Sequence, residues 1–290
     1  IPPTFVQADG KTFGEMVKTQ LVTYGDEWKD ANLDDGQNGL YDAKKAKEEF
    51  AKAKTALEAE GVKFPIHLDM PVDQTTQSKV QRTQSFKQSV EEVLGKENVV
   101  IDIHMVSKED LLNVTLFAAK AEDEDWDISD NVGWSPDYQD PSTYLDILKA
   151  SSGENTRTFL GFDPSENNEA AKKVGLYDFE KMLNEAGAET QDLNKRYEKY
   201  AVAQAWLTDS ALVIPTTSKT GRPFLTRVEP FSAPFGWTGG KGKDNVVYKG
   251  MKLQDKAVTT EEYNKALEKW KKEQAESVQK AQEEVKSHVK

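Results

Sequence analysis

Val99-Val100-Ile101-Asp102-Ile103-His104-Met105-Val106 is a β-branched run in which Val99, Ile101, Ile103 and Met105 share one side. Such alternation marks a strand with one buried face. Upstream, Ile66, Leu68 and Met70 alternate with His67 and Asp69, so a second short strand precedes it. A helix is predicted between them, over about residues 76–94. Another is predicted before the first strand: Asp42 is an N-cap, Ala46, Phe50, Ala53 and Leu57 recur at helical spacing, and Gly61 is a stop. Ser107 and Asp110 form a capping box for a helix reaching about Lys120. Helices alternating with strands in this order argue for a sheet with crossover helices, an α/β lobe.

Further out the pattern is less regular. Residues 1–41 read as irregular, with turn signals at Asp35-Gly36 and Asn38-Gly39. Trp126-Asp127-Ile128 reads as the entry to another strand, and Leu212-Val213-Ile214 as a short strand ended by Pro215. Helices are expected near 142–150, 168–186 and 191–209. The Gly/Pro-rich stretch 221–242 reads as loop with edge strands. Thr259 and Glu262 cap a last helix over about 260–288, dense in Lys and Glu, with Tyr263, Leu267 and Trp270 as a partial apolar stripe.

Composition excludes several classes of function. The 290 residues carry a formal charge of −12 and no cysteine. A field of that sign repels phosphate backbones and anionic lipid, so nucleic acid is not an expected partner. Without thiols, disulfides, thiolate zinc sites and cysteine catalysis are absent. No run approaches the roughly 18 apolar residues of a membrane span. The first residues, Ile1-Pro2-Pro3-Thr4-Phe5, suggest a truncated or processed product.

The chemical motifs are sparse. His67, His104 and His288 belong to no His-Glu-x-x-His pattern, and the first two are expected in near-buried structural roles. The cluster Gly236, Gly239, Gly240 and Gly242 beside Lys241 and Lys243 fails the spacing of a phosphate-binding loop. Asp123, Asp125 and Asp127 have the alternate spacing of a calcium loop. Ile128 and Trp134, however, occupy its glycine and bidentate-glutamate positions, so no metal site is expected. No nucleophile–base arrangement points to catalysis.

The remaining feature is Asn131-Val132-Gly133-Trp134-Ser135-Pro136-Asp137-Tyr138-Gln139-Asp140-Pro141. It is a proline-punctuated turn carrying aromatic surface and a carboxylate. Asp137 near aromatic walls could bind a free α-amino group by a charge-assisted hydrogen bond. The same residues could simply cap the following helix and pack the core, and residue types alone favour that.

This segment resembles the solute-binding proteins of peptide ABC importers, the oligopeptide-binding family (solute-binding family 5). The residues that carry the likeness are Trp126-Asp127-Ile128, Gly133 to Tyr138, Asp140-Pro141 and Tyr144-Leu145. Tyr41 to Ala46 and Asp209 to Pro215 add to it. The wording around Thr216-Thr217-Ser218 and the long final helix is similar to streptococcal Ali/Ami-type lipoproteins.

The resemblance implies the C-terminal half of a two-lobed, hinge-closing protein of the type II (cluster C) periplasmic-binding-protein-like fold. Its lobe would have a mixed sheet, a returning C-terminal segment and a long helix. Residues 1–215 would form most of the second lobe, and 216–290 the segment returning to the first. Carried over by position, Asp137 would pair with the ligand's α-amino group, and Trp134 and Tyr138 would be aromatic cleft walls. The backbone around Gly133 to Ser135 would pair with the extended peptide, while Thr217 and Ser218 would lie near the ligand. Some relatives place an arginine three residues before the tryptophan to meet the peptide carboxylate; Asn131 stands there in this chain.

The partners implied are an oligopeptide and the permease and ATPase subunits of an importer, for a monomer without cofactor. The location implied is the outer face of a Gram-positive membrane, held by a lipid anchor on the N-terminal part. A surface peptide-sensing or adhesion protein is the rival reading, and an enzyme acting on peptides a third.

Overall fold

Ile66–Asp73 (β3) and Val99–Val106 (β4) pair in parallel over eight residues, with Ile66 opposite Val99 and Asp73 opposite Val106. The computed structural model describes residues 1–33, 40–130, 134, 136–214, 225–232 and 250–288. Parallel neighbours need a crossover, and the helix Gln77–Leu94 (α3) supplies it. One face of the pair packs Met70, Val99 and Ile101 against Phe86, Val90 and Leu94 of α3 and Phe50 of the preceding helix, Ala43–Ala59 (α2). Asp42 caps α2, its Oδ1 accepting from the amides of Lys44 and Lys45 at 3.0 Å each. Gly61, at φ +86°, takes the left-handed conformation that ends the helix.

The opposite face of the pair is open around His67, Asp69 and His104, although Pro71 and Asp73 farther along it are buried, which corrects the expectation of near-buried histidines. His67 and His104 keep 60% and 54% of their side chains exposed. Each meets an aspartate of the other strand, His67 Nδ1 with Asp102 at 2.7 Å and His104 Nε2 with Asp69 at 2.8 Å. Alternation assigns residues to faces, but only the packing of α2 and α3 decides which face is covered.

Residues 1–33 are more regular than predicted, and the turn signals at Asp35-Gly36 and Asn38-Gly39 lie outside the described residues. Gln7–Ala8 (β1) and Lys11–Thr12 (β2) form an antiparallel hairpin, followed by the helix Phe13–Leu21 (α1). Thr12 and Glu15 close a reciprocal capping box, with the Thr12 amide 2.7 Å from Glu15 Oε2 and the Glu15 amide 3.2 Å from Thr12 Oγ1. This start packs onto the late helix Leu193–Asp209 (α9), building the main core with Phe13, Leu21, Phe179, Leu183 and Tyr200. The α/β class holds: a parallel pair with a crossover helix and a separate antiparallel hairpin.

Several boundaries move for local reasons. The helix Lys108–Asn113 (α4) stops well before Lys120, where the buried Thr115 hydroxyl bonds the Leu111 carbonyl at 2.6 Å and competes with the helical ladder. Near 142–150 the helix is confined to Ser142–Leu145 (α5) and a tight turn. After the short helix Thr156–Leu160 (α6), the stretch 168–186 holds two helices. Glu169–Lys173 (α7) and Leu176–Gly187 (α8) are separated where Gly175 adopts φ +80°. Residues 212–214 form no strand; Ala211, at φ +54°, turns the chain just before them.

By contacts, Ile1–Trp134 with Asp140–Ser218 form one unit, and Ser135–Gln139 with Lys219–Lys290 a second. Within the second, the helix Thr260–His288 (α10) is capped by Thr259 and Glu262, the Thr259 amide lying 2.8 Å from Glu262 Oε2. Phe231 stacks on Trp270 at 5.2 Å and meets Tyr263 at 5.6 Å. Val228 and Leu253 form an antiparallel bridge. Among the described residues, no helix is long and apolar enough to cross a membrane.

Candidate peptide-binding segment

Trp126-Asp127-Ile128 forms no strand, but it does dock on the outer edge of β3. The amides of Asp127 and Ile128 both donate to the Asp69 carbonyl at 3.0 Å, and Asp127 Oδ2 accepts from the Asp69 amide at 2.8 Å. A single β3 residue thereby satisfies both of its outward groups, so no ladder propagates. The chain thus passes to β4 on one flank of β3 and to 127–128 on the other. In open α/β sheets, ligands settle where connections diverge, beyond the carboxyl ends of strands.

The next fixed point is Asp130, whose carboxylate accepts from Arg82 Nε at 2.6 Å. Arg82 lies in the second turn of α3, close after the carboxyl end of β3. There Asp73 is buried and accepts from the Thr75 amide and hydroxyl and the Thr76 hydroxyl at 2.6–2.8 Å. Those side-chain hydrogen bonds, with the Thr75 amide, hold the Asp73 carboxyl down at about 2.

Of the segment itself, Trp134 and 136–141 are described; Asn131, Gly133, Ser135, Thr217 and Ser218 lie outside the described residues. Trp134 belongs to the first unit, half-buried against its main core. Its indole Nε1–H donates to the Thr143 carbonyl at 2.6 Å. Asp137 and Tyr138 group with the second unit; Asp137 is partly exposed and Tyr138 is 54% exposed.

Sequence reasoning missed the anchor that follows. Arg196 of α9 grips Asp140 with two parallel bonds, Nε to Oδ2 at 2.8 Å and Nη2 to Oδ1 at 2.9 Å. Its Nη1 donates to the carbonyls of Ala186, Gly187 and Glu189 at 3.0–3.3 Å, closing the C-terminal end of α8. The guanidinium also lies over the Tyr200 ring, 5.1 Å from its centroid. Burial alone would raise the Asp140 carboxyl, but the arginine fork and Ser142 outweigh it and hold it below the usual range. Nearby, burial pushes the Tyr197 hydroxyl up to about 12. Among the described residues, no group of three or more His, Cys, Asp or Glu could hold a metal ion.

No family model matches the chain. Along its whole length the chain is 68% identical to the oligopeptide-binding protein SarA of Streptococcus gordonii, covering 43% of that protein. It is 66% identical to the oligopeptide-binding protein AliA of Streptococcus pneumoniae and 59% identical to AmiA of the same species, covering 44% of each. The chain therefore spans less than half the length of the curated relatives it matches, and the match falls on their C-terminal part. Among solved structures, a peptide-binding protein of a peptide ABC transporter is 23% identical, covering 74% of this chain and 77% of that one, with a TM-score of 0.48. Listeria monocytogenes OppA bound to peptide is 21% identical over 71% of this chain and 40% of that one, with a TM-score of 0.41. Both are too distant to carry more than a likeness.

Proposed function

We propose that the chain, similar along its whole length to the C-terminal part of streptococcal oligopeptide-binding proteins, belongs with that family and is the C-terminal half of an extracellular oligopeptide-binding protein serving an ABC importer. The observation that carries this reading is 68% identity, sustained along all 290 residues, to a protein named for oligopeptide binding.

The protein acts by binding rather than catalysis. An extended peptide pairs its main chain with the backbone around Gly133 to Ser135, and such pairing tolerates many side chains. Asp137 receives the peptide's α-amino group, and Trp134 and Tyr138 wall the backbone path. Residues 1–215 serve as most of one lobe and 216–290 as the segment returning to the other, the full-length protein closing on peptide and passing it to its permease. A monomer tethered by a lipid on its N-terminal part, at the outer membrane face, fits this role.

The test is calorimetric titration of the full-length protein with peptides that co-purify with it. Asp137→Ala should weaken free-amino peptides strongly and N-acetylated ones little. Undiminished binding by that variant would remove Asp137 from its role, and absence of any peptide binding would sink the whole reading.

A further inference from the structure

Both carboxylate oxygens of Glu124 and the indole Nε1 of Trp126 are buried with no hydrogen-bond partner among the described residues. Buried polar groups left unpaired lose their water and gain nothing in return, so the strip 121–128 is poorly stabilised from within. It is held instead at its two ends. At the first, the Ala121 amide donates to Asp163 Oδ2 at 3.1 Å. At the second, the amides of Asp127 and Ile128 donate to the Asp69 carbonyl at 3.0 Å, and Asp127 Oδ2 accepts from the Asp69 amide at 2.8 Å. We infer that Glu124 is a proton-sensitive latch: neutral, it lets the strip stay fastened to Asp163 and to the edge of β3, and ionised, it releases it.

The surroundings of Glu124 favour such a role. Arg157 of α6 is committed elsewhere, its Nε donating to Asp163 Oδ1 and its Nη1 to the Ala118 carbonyl, at 2.6 Å each. Asp163 thus meets both Arg157 and the Ala121 amide, while Glu124 receives no hydrogen bond from either side. The two charges act on Glu124 in opposite senses, Arg157 favouring the carboxylate and Asp163 the acid. The other charged groups of the strip are turned outward. Asp123 and Asp125 are exposed, Lys120 pairs with Glu122 at the surface at 2.6 Å, and the Asp127 carboxylate is taken by the Asp69 amide. Burial is therefore the largest influence, and it raises the Glu124 carboxyl to about 7.

A neutral carboxyl stays dry at modest cost, whereas a carboxylate needs a bonded counter-charge or water. Ionised Glu124 can draw Arg157 away from Asp163, or it can carry the strip out to solvent. The first route loosens the Ala121 end by displacing Asp163, and the second undoes the strip directly. Release also bares the outward groups of Asp69, leaving an open strand edge there. With the docked carboxyl at about 7 and the released one at its ordinary 4.5, docking is fully supported below about pH 4.5. It weakens as pH rises toward about 7 and is level above.

The experiment is hydrogen exchange on the full-length protein, read by mass spectrometry in peptides covering 121–128 and corrected for the intrinsic pH dependence of exchange. Between about pH 5 and about pH 7.5, wild type should lose protection in this strip on the order of fiftyfold. Low concentrations of urea should leave that loss unchanged, because local opening exposes little surface, whereas exchange in β4 and α9 should quicken with urea. Glu124→Gln, which keeps the shape of the acid without its charge, should hold the same protection at both pH values. Should that variant not fold, Glu124→Met decides by the same readout. Wild-type protection that does not change with pH, or a variant that loses it as wild type does, overturns the latch. So does a loss that tracks urea together with β4, which is unfolding of the whole unit. No peptide enters the test, so its outcome is separate from that of the binding role.

Discussion

Glu91 of α3 accepts a hydrogen bond from the backbone N–H of Ile101 in β4 at 3.1 Å, while Lys87 donates to the Ile101 carbonyl at 2.5 Å. Lys87 also meets Glu91 at 2.5 Å, so one helical ion pair satisfies both outward backbone groups of an edge-strand residue. An open strand edge is a template for wrong pairing, and this pair blunts it where Ile101 is fully buried.

Removing the acceptor should therefore be costly. Glu91→Ala orphans the Ile101 amide and leaves Lys87 without its carboxylate, and the expected loss is about 3 kcal/mol in urea unfolding. Burial pushes the Glu91 carboxyl up, but the bonds from Lys87 and Ile101 outweigh it, and the net direction is down. Its stabilisation is thus present above the unfolded carboxyl range and lost as acid protonates it; Glu91→Gln should lose that acid dependence.

Glu124 behaves in the opposite sense. Its two carboxylate oxygens are buried with no hydrogen-bond partner among the described residues. Burial raises its carboxyl from 4.5 to about 7, Asp163 adding to the rise and Arg157 opposing it. The folded state then holds a proton that the unfolded chain has released, so stability should fall as pH rises from about 4.5 to about 7 and level off above. Glu124→Gln should flatten that slope and raise the melting temperature at pH 8.

The pairs His67–Asp102 and His104–Asp69 are close but largely exposed. Exposed ion pairs contribute little, because water screens them and side-chain entropy opposes them. A double-mutant cycle on His67 and Asp102 should give a coupling below about 1 kcal/mol, and one on His104 and Asp69 the same. A larger coupling would mean that this open sheet face is covered in solution.

The first half of α10 depends on its cap and on Phe231. Thr259→Ala removes the hydroxyl that accepts from the Glu262 amide at 3.2 Å, and about 1 kcal/mol should be lost. Phe231→Ala removes the ring stacked on Trp270, so hydrogen exchange should accelerate around Tyr263 to Trp270 before it changes elsewhere in the helix.

Much of the scaffold was legible because its signals are local. Asp42 and Thr259 each stand at the start of a helix they cap, within three residues of the amides they accept from. The alternation over 66–70 and 99–106 named both strands. The Thr12–Glu15 box was equally local and shows that α1 too had a readable signal. In the candidate segment, Asp137, Trp134 and Tyr138 stood out through a family resemblance; their residue types left a helix-capping role open.

Arg196 carried no such signal. Its chain neighbours mark it as one charge on a helix, and nothing near Asp140 names a partner 56 residues away. Periodicity and caps depend on groups within a turn of one another, so residue order announces many of the helices and strands. Which sheet face is covered, which aspartate is neutralised and which helix Asp140 is tied to depend on how those elements pack. Burial energy summed over the whole core settles that packing, and only the tertiary structure expresses it.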